Sequence, residues 1–239
     1  DQLRNWKSNK VVKKLTMGLS QMAKQREVEV IEGEGKFASP KQIIVNLNNG
    51  AKKMIGFKSA IIAAGSQSSK IPNTPDDERI MDSTGALELK DIPKKLLIIG
   101  GGIIGLEMGT VYDALGSDVS VVELSDGLIQ GCDRDIVKPL HRRMEKRFEN
   151  IWLKTKVTNI ETIKEGVVVY FKGDDAPEKL TFDRVLVAVG RKPNGHKIDA
   201  EKAGVEVDEY GFIAVDKQMK TNVDHIYAIG DIVGQPMLA

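Results

Sequence analysis

The period of the apolar positions changes along the chain, and each change predicts an element. Between residues 9 and 25, Val12, Leu15, Leu19 and Met22 recur at helical spacing, with Lys10, Lys13, Lys14 and Lys24 on or near the other face. This predicts an amphipathic helix with a solvated face over a core. The competing reading of such a basic face, contact with phosphates or a membrane, ranks below it. Residues 28–31, 43–47 and 54–57 read as short strands, and Asn48-Asn49-Gly50 between the last two is a hairpin turn that accepts positive φ. Residues 59–64, SAIIAA, read as a buried strand stopped by Gly65, the kind of strand end at which α/β sheets place ligands. A polar, proline-punctuated stretch, residues 72–77, then sets a domain boundary near Ile71.

Residues 95–123, KLLIIGGGIIGLEMGTVYDALGSDVSVVE, read as strand, glycine turn, helix and second strand. The apolar run 96–99 suits a buried parallel strand, and Gly100-x-Gly102-x-x-Gly105 follows it directly. In such a unit Gly100 permits the tight turn, Gly102 lets a pyrophosphate approach the backbone, and Gly105 lets the helix pack close to the strand. The N–H groups at the helix start, those of Ile103 and Ile104 among them, can hold an anion. Glu123 closes the apolar run 119–122 near the roughly 20-residue spacing at which a carboxylate meets the adenosine ribose hydroxyls. That carboxylate would repel a 2′-phosphate, so the pattern points to NAD over NADP. Further on, Asp133 is a candidate N-cap for a second crossover helix bearing Ile136, Val137, Leu140 and Met144. Residues 167–171 alternate faces and open a β-meander, which returns to an apolar run, 184–189, ending at Gly190. Short strands are expected around Val205, over 212–215 and over 226–229. The fold class is therefore α/β, a Rossmann-like domain with a parallel sheet and a meander.

Composition narrows the function classes. The 239 residues are 41% hydrophobic and 29% charged with a net charge of +1, so no electrostatic bias favours nucleic acid or an anionic membrane. No apolar run approaches the roughly 18 residues of a membrane span, and a soluble protein is expected. A single cysteine, Cys132, excludes an intrachain disulfide and fits a reducing compartment. It lies beside acids, which disfavours a nucleophile. His141, His196 and His225 have neither metal-site nor triad spacing, so no metal is expected.

Three further residues carry open alternatives. Glu107 is either a charge well placed near a helix N-terminus or a carboxylate poised at the cofactor's reacting end. Arg191, after Gly190, is either a nucleotide or flavin contact or a surface charge at a strand end. Asp231, after a β-run and Gly230, is either a helix N-cap or a carboxylate that binds hydroxyls.

Taken together, Ile62-Ala63-Ala64-Gly65-Ser66, the run GGGIIGLEMGTVY, Val189-Gly190-Arg191-Lys192-Pro193-Asn194, and the run TNVDHIYAIGDIVGQPMLA resemble the dihydrolipoyl dehydrogenases over essentially the whole chain. The resemblance implies a cytoplasmic, homodimeric flavoprotein oxidoreductase, with a redox-active cysteine pair, that serves 2-oxo acid dehydrogenase complexes such as the pyruvate dehydrogenase complex. It would meet their lipoyl-bearing and subunit-binding domains, and pass electrons from dihydrolipoamide through a disulfide and FAD to NAD. It implies NAD contacts at Gly100, Gly102, Ile103, Ile104, Gly105 and Glu123, with Val157 near the adenine. Glu107 would lie beside the nicotinamide and flavin rings. Gly65, Gly190, Arg191, Gly230 and Asp231 would line the flavin and nucleotide, with Asp231 on the ribityl chain. The implied domains are a partial FAD-binding domain over 1–70, an NAD-binding domain over 71–194 and the start of a central domain over 195–239. The family's first glycine motif, its Cys-x4-Cys pair and the following lysine would precede Asp1, and its His/Glu pair and dimer interface would follow Ala239, so an internal fragment is expected. The alternatives are another disulfide reductase of the group, such as a mercuric or glutathione reductase, or a non-catalytic NAD-binding regulatory or complex-docking module.

Overall fold

The computed structural model describes residues 1–234 and 237. Gln235, Pro236, Leu238 and Ala239, in the tail of the last motif, lie outside the described residues. The chain forms two compact units, one of Ser68–Arg191 and one of Asp1–Gln67 with Lys192–Ala239. Lys192–Ala239 thus cluster with the N-terminal segment in one unit.

That unit begins with helix α1 (Gln2–Trp6), a π-helical stretch (Lys7–Val12) and helix α2 (Lys13–Gln25). The helix therefore starts well before residue 9, and none of its residues is buried. Its stripe of Leu15, Leu19 and Met22 is exposed, so the expected core beneath it is a correction. Residues 28–31 are not a strand either. Val28 and Val30 are exposed, and pairing begins only at β1 (Gly33–Ser39), which runs antiparallel to β2 (Gln42–Leu47) with Gly33 opposite Leu47. The Asn-Asn-Gly turn, with Gly50 at φ +84°, links β2 to β3 (Lys52–Gly56). Strands β4 (Ala60–Ile62) and β5 (Ser66–Ser68) follow.

The second unit is built on a five-stranded, all-parallel sheet. Its members in chain order are β6 (Ile80–Met81), β7 (Lys95–Ile99), β8 (Asp118–Val122), β9 (Asn150–Trp152) and, after the meander β10 (Lys156–Ile163), β11 (Gly166–Lys172) and β12 (Lys179–Phe182), the strand β13 (Arg184–Val187). The order across the sheet is β6-β13-β7-β8-β9. Helices α3 (Ser83–Glu88), α4 (Ile103–Ala114) and α5 (Arg134–Glu145) accompany it. Leu96, Ile98, Val119 and Val121 point into one core with Leu106, Met108 and Tyr112 of α4. Leu97, Ile99, Val122 and Val185 point into the other, with Val167, Val169 and Phe171 of the meander. Strand residues buried on both faces explain why these runs are continuously apolar instead of alternating. Asp133 stands at the N-cap of α5, but its side chain makes no capping bond, a correction to its expected role.

β14 (Arg191–Pro193) leads back to the first unit. There β15 (Ile226–Ala228) pairs in parallel with β4, Ala228 beside Ile62. Ile62, Ile226, Ala228, Ile213 and Val205 share a core with Phe37 of β1. Strand β4 is buried on one face only, since Ile61 is 66% exposed. The segments around Val205 and 212–215 are not strands; they pack as loops, and Ile213 N–H bonds to Ile232 O.

Candidate functional site

The parallel sheet changes direction between β7 and β13: the chain steps from β7 to β8 on one side and returns as β13 on the other. Ligands of open α/β sheets bind beyond the carboxyl ends of the strands at such a point. The glycine turn occupies that place. Gly100, at φ +110°, donates its N–H to Val122 O (2.8 Å), and a Cβ on it would stand 2.3 Å from Ala188 O of the chain leaving β13. A Cβ on Gly105 would stand 2.3 Å from Gly100 O and 3.1 Å from Ile98. Both glycines are therefore required by close backbone approach. Gly102 is different, because nothing lies within 4 Å of its Cβ position. It leaves an open approach to the start of α4, whose first internal bond runs from Leu106 N–H to Gly102 O (3.1 Å). The earlier amides, those of Ile103, Ile104 and Gly105, are the helix-start donors that suit a pyrophosphate.

Glu123 is half-buried at the end of β8. Its Oε2 accepts from Gly101 N–H (2.7 Å) and its Oε1 from Ser125 N–H (2.8 Å). A carboxylate has about four lone-pair sites, so acceptor capacity remains beyond these two bonds. The sequence pattern suggested the ribose role but not the second one, holding the glycine turn. The loop after Glu123 was also silent in the sequence. Ile129 N–H donates to Gly101 O (2.9 Å), and the fully buried Leu128 packs where a Gly101 side chain would stand. Arg134 holds that loop through its carbonyls. The only sequence signal was a cation at the first residue of a helix, where the dipole disfavours it.

Glu107 is exposed on the second turn of α4. Val157 packs partly buried against the core on the meander side of the sheet. Gly190, at φ +116°, accepts from Ser69 N–H (2.9 Å), and Arg191 is half-buried.

The other unit carries a second cluster. Gly65 (φ +63°) and Gly230 (φ +78°) lie just beyond the carboxyl ends of β4 and β15, and among the described residues nothing stands within 4 Å of either Cβ position. Asp231 accepts from the Ser66 hydroxyl (2.5 Å). Asn194 donates its side-chain amide to Ala64 O (2.8 Å) and its backbone N–H to Gly65 O (3.0 Å). Its Oδ1 is buried with no hydrogen-bond partner among the described residues. An open glycine pair, a carboxylate and an unpaired buried acceptor fit a hydroxyl-bearing ligand.

The family model for pyridine nucleotide-disulphide oxidoreductases matches residues 1–239. The chain belongs to that family. It is 56% identical over 241 residues to the dihydrolipoyl dehydrogenase of Vibrio parahaemolyticus, an alignment covering 100% of this chain and 50% of that protein. To the dihydrolipoyl dehydrogenase of Haemophilus influenzae it is 55% identical over 230 residues, 96% of this chain and 48% of that protein. The chain thus spans about half the length of the curated relatives it matches. Among solved structures it is similar to the HOCl-induced flavoprotein disulfide reductase RclA of Escherichia coli, as the Cu(II) complex of a cysteine-to-serine mutant. The TM-score is 0.86 at 29% identity, over 96% of this chain and 52% of that one. A second RclA structure, the Cu(II) complex without that mutation, aligns with a TM-score of 0.78 at 31% identity, over 88% of this chain and 47% of that one. The expected fold class is met: a parallel sheet with crossover helices and a meander, in a member of the pyridine nucleotide-disulphide oxidoreductase family.

Proposed function

We propose that this chain is the nucleotide-binding half of an NAD-dependent dihydrolipoyl dehydrogenase, with its NAD site in the Ser68–Arg191 unit. The observation that carries the reading is Glu123, whose carboxylate is anchored by Gly101 and Ser125 while keeping acceptor capacity beside the open Gly102. Identity of 56% to a dihydrolipoyl dehydrogenase, against 29% and 31% to RclA, supports the substrate class. Gly102 and the amides of Ile103, Ile104 and Gly105 would receive the pyrophosphate, Glu123 the adenosine ribose, and Val157 would border the adenine. Gly65, Gly230 and Asp231 would hold FAD, with Asp231 and the Asn194 Oδ1 suited to its hydroxyl-rich chain, while Gly190 and Arg191 of the Ser68–Arg191 unit would contact nucleotide. When bound, the flavin and the nicotinamide supply hydride exchange. The protein residues bind and orient them, and Glu107 supplies a carboxylate at the reacting end. The full protein would act as a cytoplasmic homodimer on the lipoyl-bearing domains of a 2-oxo acid dehydrogenase complex.

Calorimetric titration of the full-length protein tests the site. NADH should bind about tenfold or more tightly than NADPH, because Glu123 opposes a 2′-phosphate; equal affinities would remove the Glu123 assignment. Glu107→Gln should leave NAD affinity within about twofold yet slow flavin reoxidation in stopped flow. Unchanged reoxidation would return Glu107 to the role of a surface charge.

A further inference from the structure

Ile129 is a β-branched residue at φ +46°, a left-handed conformation that such side chains avoid. Strain of this kind persists only where surrounding contacts impose it, and it concentrates at binding sites. Here the Ile129 carbonyl is held by the Cys132 N–H (3.3 Å) and by Arg134. Its Nη1 donates to Leu128 O (2.9 Å), its Nη2 to Ile129 O (2.6 Å) and Cys132 O (2.7 Å), and its Nε to Cys132 O (3.0 Å). A Cβ on Gly127 would stand 2.7 Å from Nη1, so the loop is built to admit the guanidinium. The cation stands at the first residue of α5, the positive end of the helix dipole, and carries no helix-capping role. Three carbonyl oxygens offset that placement, which a planar fork of donors suits and a point charge does not.

The consequence reaches the glycine turn. The strained conformation aims Ile129 N–H at Gly101 O (2.9 Å), while Glu123 holds Gly101 N–H from the other side (2.7 Å). Gly101 is therefore clamped at both of its backbone polar groups before any ligand arrives. We propose that Arg134 is a positioning residue for the dinucleotide: by holding Ile129 in its left-handed conformation it preorganises the glycine turn, and so lowers the cost of binding the adenosine diphosphate half. The proposal rests on the reading of this unit as an NAD site. It assigns Arg134 no contact with the cofactor.

The test uses the full-length protein with Arg134→Ala and Arg134→Lys, and two readouts. Amide hydrogen exchange without ligand reads the clamp itself, and calorimetry with ADP and with NAD reads its consequence. Arg134→Ala should raise the exchange rate of the Ile129 amide by about tenfold or more and weaken ADP and NAD by a similar factor of about five to ten. Arg134→Lys, which can satisfy fewer carbonyls, should fall between the wild type and Arg134→Ala on both readouts, and it keeps the test alive if the alanine variant does not fold. Unchanged ADP affinity, or weakened affinity with an undisturbed Ile129 amide, would overturn the proposal. A wild-type protein that binds neither ADP nor NAD would instead overturn the nucleotide reading and the proposal with it, a result distinct from a loss confined to the variants.

Discussion

The two glycine clusters of this chain follow opposite designs. In the Ser68–Arg191 unit the turn sits on a parallel sheet buried on both faces, and Gly100 and Gly105 are enclosed by backbone that leaves no room for a Cβ. In the other unit Gly65 and Gly230 follow a two-stranded parallel pair with an exposed Ile61, and their Cβ positions are open. The first cluster has its polar groups paired around Gly101, whereas the second keeps an unpaired acceptor on Asn194. A glycine can thus be demanded by packing or by backbone angle alone, and the two demands respond differently to substitution.

The largest effect should separate the two. Gly105→Ala places a methyl 2.3 Å from Gly100 O, so α4 must move away from β7. A loss of about 3 kcal/mol or more in denaturant unfolding is expected, with NAD affinity falling at least about a hundredfold. Gly230→Ala meets no neighbour among the described residues and should cost only left-handed strain, about 1 kcal/mol. Equal losses would break the comparison.

Gly102→Ala sharpens it within one cluster. With open space around its Cβ, stability should stay within about 0.5 kcal/mol, while calorimetric NAD affinity should fall about tenfold because the methyl would occupy the proposed pyrophosphate approach. If stability fell with affinity, Gly102 would belong with Gly100 and Gly105.

The smallest effect concerns the stability of the sheet unit in acid. Arg79 pairs bidentately with Asp77 (2.9 and 2.7 Å) and also donates to Ile163 O (2.8 Å), tying the stretch before β6 to the meander. The Arg79 side chain, and then its backbone N–H, hold the Asp77 carboxyl down from 3.8 to about 2. A lowered carboxyl contributes stability above its unfolded value and loses it as pH falls through its folded value. The wild type should therefore exceed Asp77→Asn by on the order of 1 kcal/mol near neutrality, after solvent screening. That margin should persist down to pH near 3.8 and vanish as pH passes below about 2. Urea unfolding at neutral and at acid pH measures it, and a margin that survives full acidification would refute the pairing.

Much of the Ser68–Arg191 unit was legible because its demands are local. The run before Gly100, the glycine spacing and Glu123 all follow from a strand, a turn and a helix in direct succession. The meander too was visible, since Val167, Val169 and Phe171 alternate onto one core. The failures have a common cause. Val28 and Val30 carry β-branched side chains but find no partner strand, and the stripe of Leu15, Leu19 and Met22 is periodic yet exposed. Periodicity states which face can be buried, not what covers it.

The sequence by itself determined a dinucleotide-type βαβ unit, its acidic terminus and the glycines at its turn, because these are set by neighbours a few residues apart. Only the tertiary structure decided that Glu123 also braces Gly101, that Arg134 holds Ile129 in a strained conformation against the same residue, and that Asn194 keeps an unpaired acceptor beside Gly65. Those contacts join residues distant in sequence or depend on backbone angles that no composition or period encodes.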